Sequence, residues 1–157
     1  MKLKRRDGTF GAMRETPFDV EEFLRQPLVA RVATGRLTLR PVWFLWEDEA
    51  FWIFSGQWSK MADRLGKDPA FELSIDTCDV HSGRTLQVIA RGSGLVVPFD
   101  ADLAHRKLVR YLGEDVSLWD DRFSLCERPG ERKWLIRLDP DTLWVSDQSF
   151  HPSLETG

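Results

Sequence analysis

The chain reads as a mainly β domain, six to seven antiparallel strands rolled into a β-barrel with short helices. Three observations predict this. Short apolar or alternating runs recur at 28–33, 36–46, 51–54, 70–77, 84–97, 133–138 and 143–146. The connections between them are mostly short, as antiparallel neighbours require. Gly92 and Gly94 fall inside the longest run, where a bulge or a barrel bend needs them. At 157 residues the chain suits one domain able to bury a real core. Its expected limits are a flexible N-terminal arm at 1–16, the domain at 17–150 and a tail at 151–157.

The elements follow in order. Asp19 is an N-cap, and Glu22 three residues on is its capping-box partner. Val20, Phe23 and Leu24 give that short helix an apolar face, and Pro27 ends it. Leu28 to Ala33 is a strand, turned by Thr34-Gly35. From Arg36 to Arg40 the pattern alternates, with Leu37 and Leu39 on one side and Arg36, Thr38 and Arg40 on the other. After Pro41 both sides turn apolar through Val42, Trp43, Phe44, Leu45 and Trp46, so a helix, a second subunit or a ligand must cover the second face. Glu47-Asp48-Glu49 is a hairpin turn into Phe51–Phe54. Ser59 sits at the N-cap of a helix running to Gly66, stopped by Asp68-Pro69. Ala70 to Thr77 alternates, with Phe71, Leu73 and Ile75 inward. Asp100 caps a helix carrying Leu103, Leu108, Tyr111 and Leu112 and closed by Gly113. No element is assigned to 114–131. Lys133–Leu138 and Leu143–Ser146 read as two strands parted by the turn Asp139-Pro140-Asp141.

Composition narrows the function classes. A net charge of −3 supplies no basic field for nucleic acid, and the basic start at Met1–Arg6 leads into Asp7-Gly8 rather than an apolar run. No apolar stretch approaches membrane-spanning length. Cys78 and Cys126 stand alone, without metal-ligand spacing, which suits a reducing cytoplasm. Seven Trp and ten Phe against one Tyr imply ring-rich packing in the core, a site or an interface.

The informative segment runs from Arg31 to Pro69. Ser55, Gly56, Ser59 and Lys60 place two hydroxyls, a permissive backbone and an ammonium before a helix start, which suits an anion. An ordinary strand-to-helix turn, with Ser59 as cap and Lys60 in solvent, reads the same way. Arg36 and Arg40 share a strand face, and Arg40 lies nearer the apolar zone. His81, His105 and His151 carry no ligand spacing, so no metal site is expected, and the paired acids at 120–121 and 139/141 read as turn residues. No dinucleotide fingerprint, P-loop or nucleophile elbow occurs.

This segment resembles the pyridoxamine 5′-phosphate oxidase-like flavoproteins of the split β-barrel fold, a group that includes deazaflavin-using reductases. Their first strand ends in "ATV", followed by "GRPHVRPVWF", "S-x-x-x-SRKARNL" and "DPRV". Here those places hold Val32-Ala33-Thr34, Gly35 to Phe44, Ser55 to Leu65, and Asp68-Pro69-Ala70-Phe71. Val88-Ile89-Ala90-Arg91-Gly92 is similar to the later "V-x-V-x-G" strand. The resemblance implies FMN held by Arg40, Pro41, Val42, Trp43, Ser55, Gly56, Ser59 and Lys60. It also implies a homodimer with two-subunit sites, and an oxidoreductase with a small-molecule substrate or electron acceptor. F420-dependent reduction, or non-enzymatic binding of flavin or haem, are the alternatives on the same fold. No catalytic side chain is implied. Met61 stands where the family commonly has a Lys, leaving Lys60 to serve alone, and the first hairpin is shorter than usual. The C-terminal Trp- and Arg-bearing substrate stretch of true pyridoxamine phosphate oxidases has no counterpart, so that activity is not expected.

Overall fold

The computed structural model describes residues 2–4, 10–11, 16–124 and 130–152. Cys126 and part of the unassigned stretch therefore lie outside the described residues. Seven antiparallel strands form the expected barrel: β3 (Val29–Thr34), β4 (Thr38–Trp43), β5 (Leu45–Glu47), β6 (Ala50–Gly56), β7 (Ala70–Cys78), β8 (Thr85–Pro98) and β9 (Lys133–Asp147). Two short N-terminal segments join them, β1 (Lys2–Lys4) and β2 (Phe10–Gly11). β1 lies parallel to Thr142–Trp144, within the stretch read as an arm. The helices are α1 (Val20–Arg25), α2 (Met61–Lys67) and α3 (Ala101–Leu112).

The strand order is β4-β3-β7-β8-β9, and β6 joins β9 on one side and β5 on the other. Between β4 and β6 no strand pairing is formed among the described residues, so the barrel is split there rather than closed. The core fills the half-barrel. Val32, Leu73, Ile75, Val88, Ile136, Leu138 and Leu143 alternate inward from their strands and are almost fully buried.

The caps form as the sequence requires. The Asp19 carboxylate accepts from the Glu22 N–H at 3.0 Å, and Asp100 accepts from the N–H groups of Asp102 and Leu103. Ser59 does not occupy the N-cap of α2, which falls on Lys60. Its hydroxyl nonetheless accepts from the Met61 N–H at 3.2 Å, one residue early.

Two expectations are corrected. Residues 133–147 form one continuous strand, not two. Opposite Pro140 the β8 register shifts at Arg91/Gly92, and that bulge absorbs the missing N–H of the proline. At Gly92 an added Cβ would lie 2.0 Å from the Asp139 carbonyl oxygen, so only glycine permits the crossing. The run 36–46 is likewise not one strand. The chain turns at 35–37 with positive φ at Gly35 and Leu37, and β4 and β5 are separated at Phe44. The Phe44 N–H donates to the Tyr111 hydroxyl at 3.0 Å, and its carbonyl accepts from Arg110 at 3.2 Å, so α3 takes the place of a strand neighbour.

Leu37 and Leu39 are exposed, so the alternation at 36–40 marks an edge strand instead of a core face. The second apolar face of 44–46 is covered within the same chain by α3 and α1. Trp46 there donates its indole N–H to Glu21 at 2.8 Å, and Phe44 is fully buried. No second subunit is needed to bury those three residues.

Candidate functional site

The split between β4 and β6 opens a cavity of about 610 Å3. β4 contributes Arg40, Pro41 and Val42; β6 contributes Ile53, Phe54 and Ser55; the turn and α2 contribute Trp58, Ser59, Lys60, Met61 and Arg64. Six of the eight residues expected to hold a cofactor thus line one space: Arg40, Pro41, Val42, Ser55, Ser59 and Lys60. The local reason is plain. β4 is an edge strand, where Pro41 can sit without costing a ladder bond, and the tight turn after β6 swings α2 across the gap.

Gly56 and Trp43 are placed differently. At Gly56 an added Cβ would lie 2.2 Å from the Trp58 ring, so the glycine admits that ring rather than a ligand. Trp43 turns toward α3. Its ring stacks on Tyr111 at 4.4 Å with 2° between planes, and on Phe123 at 5.6 Å. It lines a neighbouring aromatic cavity and not the one containing Ser55 and Lys60.

Charge and polarity in the β4–β6 cavity are one-sided. Arg40, Lys60 and Arg64 bring three cations, and no carboxylate or imidazole lines it among the described residues. Lys60 and Arg40 are exposed, whereas Arg64 is half-buried and donates from Nε to the Thr34 hydroxyl at 2.9 Å. Arg31 stands on the opposite sheet face from Arg40, which pairs with Val32; it forms an ion pair with Asp76 at 2.9 Å and does not line the cavity. Met61, in the place of the family's second basic residue, is buried in the core. Arg64, one turn further along α2, brings a second cation from this helix region to the cavity beside Lys60. Sequence reading missed Arg64 and Trp58, although Arg64 lies three residues past Met61 on the same helix face.

Ser55 is the anomaly of the site. It is only 2% exposed, and its hydroxyl has no hydrogen-bond partner. Four buried side-chain polar atoms are unpartnered among the described residues, and only that of Ser55 belongs to a residue lining this cavity. A buried hydroxyl without a partner costs about 1–3 kcal/mol, and native structures rarely carry one without cause. A ligand oxygen or amide reaching into the cavity would satisfy it.

Behind the cavity, α3 is pinned by two side chains. Arg110 donates to the carbonyls of Leu24 at 2.8 Å and Gln26 at 2.6 Å as well as to Phe44. The Tyr111 hydroxyl donates to the Leu28 carbonyl at 2.6 Å. Burial lowers the Arg110 pKa and raises that of Tyr111, the latter opposed by the hydrogen bond to Phe44. Elsewhere His81, His105 and His151 are exposed, and no cluster of metal-ligating side chains occurs among the described residues. No helix among them is long and apolar enough to cross a membrane.

No protein-family model matches the chain, and no curated protein matches it. Solved structures do. A conserved hypothetical protein from Mycobacterium tuberculosis is 17% identical with a TM-score of 0.66, over 88% of this chain and 91% of that one. An F420 reductase is 22% identical with a TM-score of 0.55, over 82% and 98%. A candidate pyridoxamine 5′-phosphate oxidase from Listeria innocua is 13% identical with a TM-score of 0.56, over 80% and 94%. At these identities the likeness is one of fold. The seven-stranded half-barrel with its three short helices shares the fold of these solved structures.

Proposed function

We propose that the chain is an FMN-binding oxidoreductase, working as a homodimer in the cytoplasm on a small-molecule substrate or electron acceptor. The observation that carries this reading is the unpartnered Ser55 hydroxyl in a cavity walled by three cations. The cavity volume lies within the range of small-molecule clefts, about 300–1,000 Å3. Its residues suit a flat ring with an anionic tail. Ser55, Ser59, Lys60, Arg40 and Arg64 would hold the phosphate, and Pro41 and Val42 would support the ring. When bound, the flavin supplies hydride transfer. The chain's part is to fix the tail, exclude water from the Ile53–Ser55 wall and keep the positive field that favours a reduced, anionic ring. That no carboxylate or imidazole lines the cavity among the described residues fits chemistry that resides in the cofactor.

Exposed Val29 and Leu39 beside the open edge of β4 support the homodimer, and the exposed Cys78 thiol suits a reducing compartment. The three cations also suit the longer polyanionic tail of F420, the second reading; haem, whose propionates would use the same cations, is the third. Titration of the purified protein with FMN, F420 and haem, read by absorbance and by melting, tests this. FMN is expected to bind and raise the melting temperature. Failure of all three to bind would overturn the proposal, and binding of F420 alone would move it to the deazaflavin reading.

A further inference from the structure

One charged side chain outside that cavity is almost wholly buried with no anionic partner among the described residues. Lys107 lies midway along α3, on the face that buries Leu103, Ala104 and Leu108, and is 6% exposed. No hydrogen bond or ion pair reaches its ammonium among the described residues, and burial alone lowers its pKa to about 8. It opens onto a second cavity of about 350 Å3 walled by the rings of Trp43, Phe54, Trp58 and Phe123. Phe54 and Trp58 also line the β4–β6 cavity, so the two spaces share a wall. Arg122, Glu131 and Lys133 complete the lining, giving three cations against one carboxylate.

An ammonium largely withdrawn from water, with no counter-charge paired to it, is costly for a fold to hold. Here its surroundings are four aromatic rings, two of them common to the cofactor cavity. An incoming carboxylate would restore the lost solvation of Lys107 through charge-assisted hydrogen bonds. A planar conjugated body would stack against the rings. We propose that this second cavity is the substrate pocket and that it takes a flat, conjugated carboxylic acid, with Lys107 as the residue binding its carboxylate. The assignment as substrate pocket rests on the cofactor reading above; binding of the acid by Lys107 does not.

The test uses cinnamate and its uncharged amide as probes on the full chain, read by quenching of tryptophan fluorescence, since Trp43 and Trp58 line the cavity. Cinnamate is expected to bind the native chain more tightly than cinnamamide. Lys107→Met should weaken cinnamate about tenfold or more while leaving cinnamamide unchanged, and Lys107→Arg should retain part of the preference. FMN titration of Lys107→Met should match the native chain, and cinnamate should perturb the spectrum of bound FMN only when Lys107 is present. Equal cinnamate affinity in the native chain and Lys107→Met, or no binding at millimolar cinnamate, overturns the pocket and leaves the flavin reading intact. Lys107-dependent cinnamate binding in a chain that takes up no flavin overturns the assignment as substrate pocket instead.

Discussion

The two cavities share Phe54 and Trp58 yet hold positive charge in opposite ways. Between β4 and β6 the cations stand on an edge strand and a turn. Lys60 and Arg40 are in solvent, and Arg64 is half-fixed by Thr34. On α3, Lys107 is packed among rings with no hydrogen-bonding or ion-pair partner among the described residues. An exposed cation costs the fold almost nothing and acts only when an anion arrives. A buried one destabilises the fold continuously until something completes it. Mutations in the first cavity should therefore change binding and leave stability alone, whereas in the second the two should move together.

The largest effect is expected at Lys107. Its folded pKa of about 8 lies below the ordinary 10.5. Between those values the unfolded chain binds the proton and the folded chain does not, so stability rises with pH across that window. Below about pH 8 the full penalty is present. Lys107→Met, with Arg122, Glu131 and Lys133 kept around it, should gain on the order of 3 kcal/mol over the native chain at pH 7. The gain should vanish by pH 11. Urea unfolding at both pH values measures it, and equal stability at pH 7 would erase the contrast between the cavities.

At Lys60 the expectation is reversed. Lys60→Glu should weaken FMN on the order of a hundredfold, because a repulsive carboxylate replaces an attractive ammonium beside Arg40 and Arg64. As a surface change it should shift unfolding by no more than about 0.5 kcal/mol. Fluorescence titration and urea midpoints on the same sample separate the two. Unchanged FMN affinity would remove Lys60 from the site.

Tyr111→Phe probes the wall between the regions. It deletes the hydroxyl that accepts from the Phe44 N–H and donates to Leu28, leaving a buried amide unpaired where β4 and β5 part. A loss of about 1–2 kcal/mol is expected in urea unfolding. FMN affinity should fall little, since Trp43, which Tyr111 stacks against, does not line the β4–β6 cavity.

How much of this was legible in the chain depends on whether the information was local. Arg40, Pro41 and Val42, with Ser55, Ser59 and Lys60, lie within some twenty positions of one another, on β4, on β6 and on the turn that follows, with only the short β5 between, so their order placed them near one another. Asp19 and Asp100 announced their helices because capping is a property of three or four residues. Pro140 misled because a proline normally ends a strand, and only the bulge at Gly92, some fifty positions away, lets β9 run through. The placement of Trp43 beside that cavity was hidden for the same kind of reason: its partner rings at Tyr111 and Phe123 come from a helix and a loop far along the chain. Lys107 was readable. It falls four residues after Leu103 and four before Tyr111, on the stripe taken as apolar, and a lysine in such a stripe is either snorkelling or engaged. Without a place in the fold for that stripe, neither reading could be chosen.

The smallest effect is also the sharpest, because its two signs oppose. Ser55 belongs by position to the cavity of exposed cations but by burial to the kind of site Lys107 occupies. Its hydroxyl is shut from solvent and unpartnered. Ser55→Ala removes a desolvated group that makes no hydrogen bond, so the empty protein should be as stable as the native chain or more stable by about 1 kcal/mol. If the hydroxyl meets a cofactor oxygen, the same change should weaken FMN about tenfold. A serine that merely fills β6 predicts the first outcome without the second. Melting of the flavin-free and flavin-loaded forms decides between them: the variant should melt at or above the native chain when empty and below it when saturated. A variant that gains equally in both states would show that the Ser55 hydroxyl faces no ligand, and with it the strongest support for a cofactor between β4 and β6 would go.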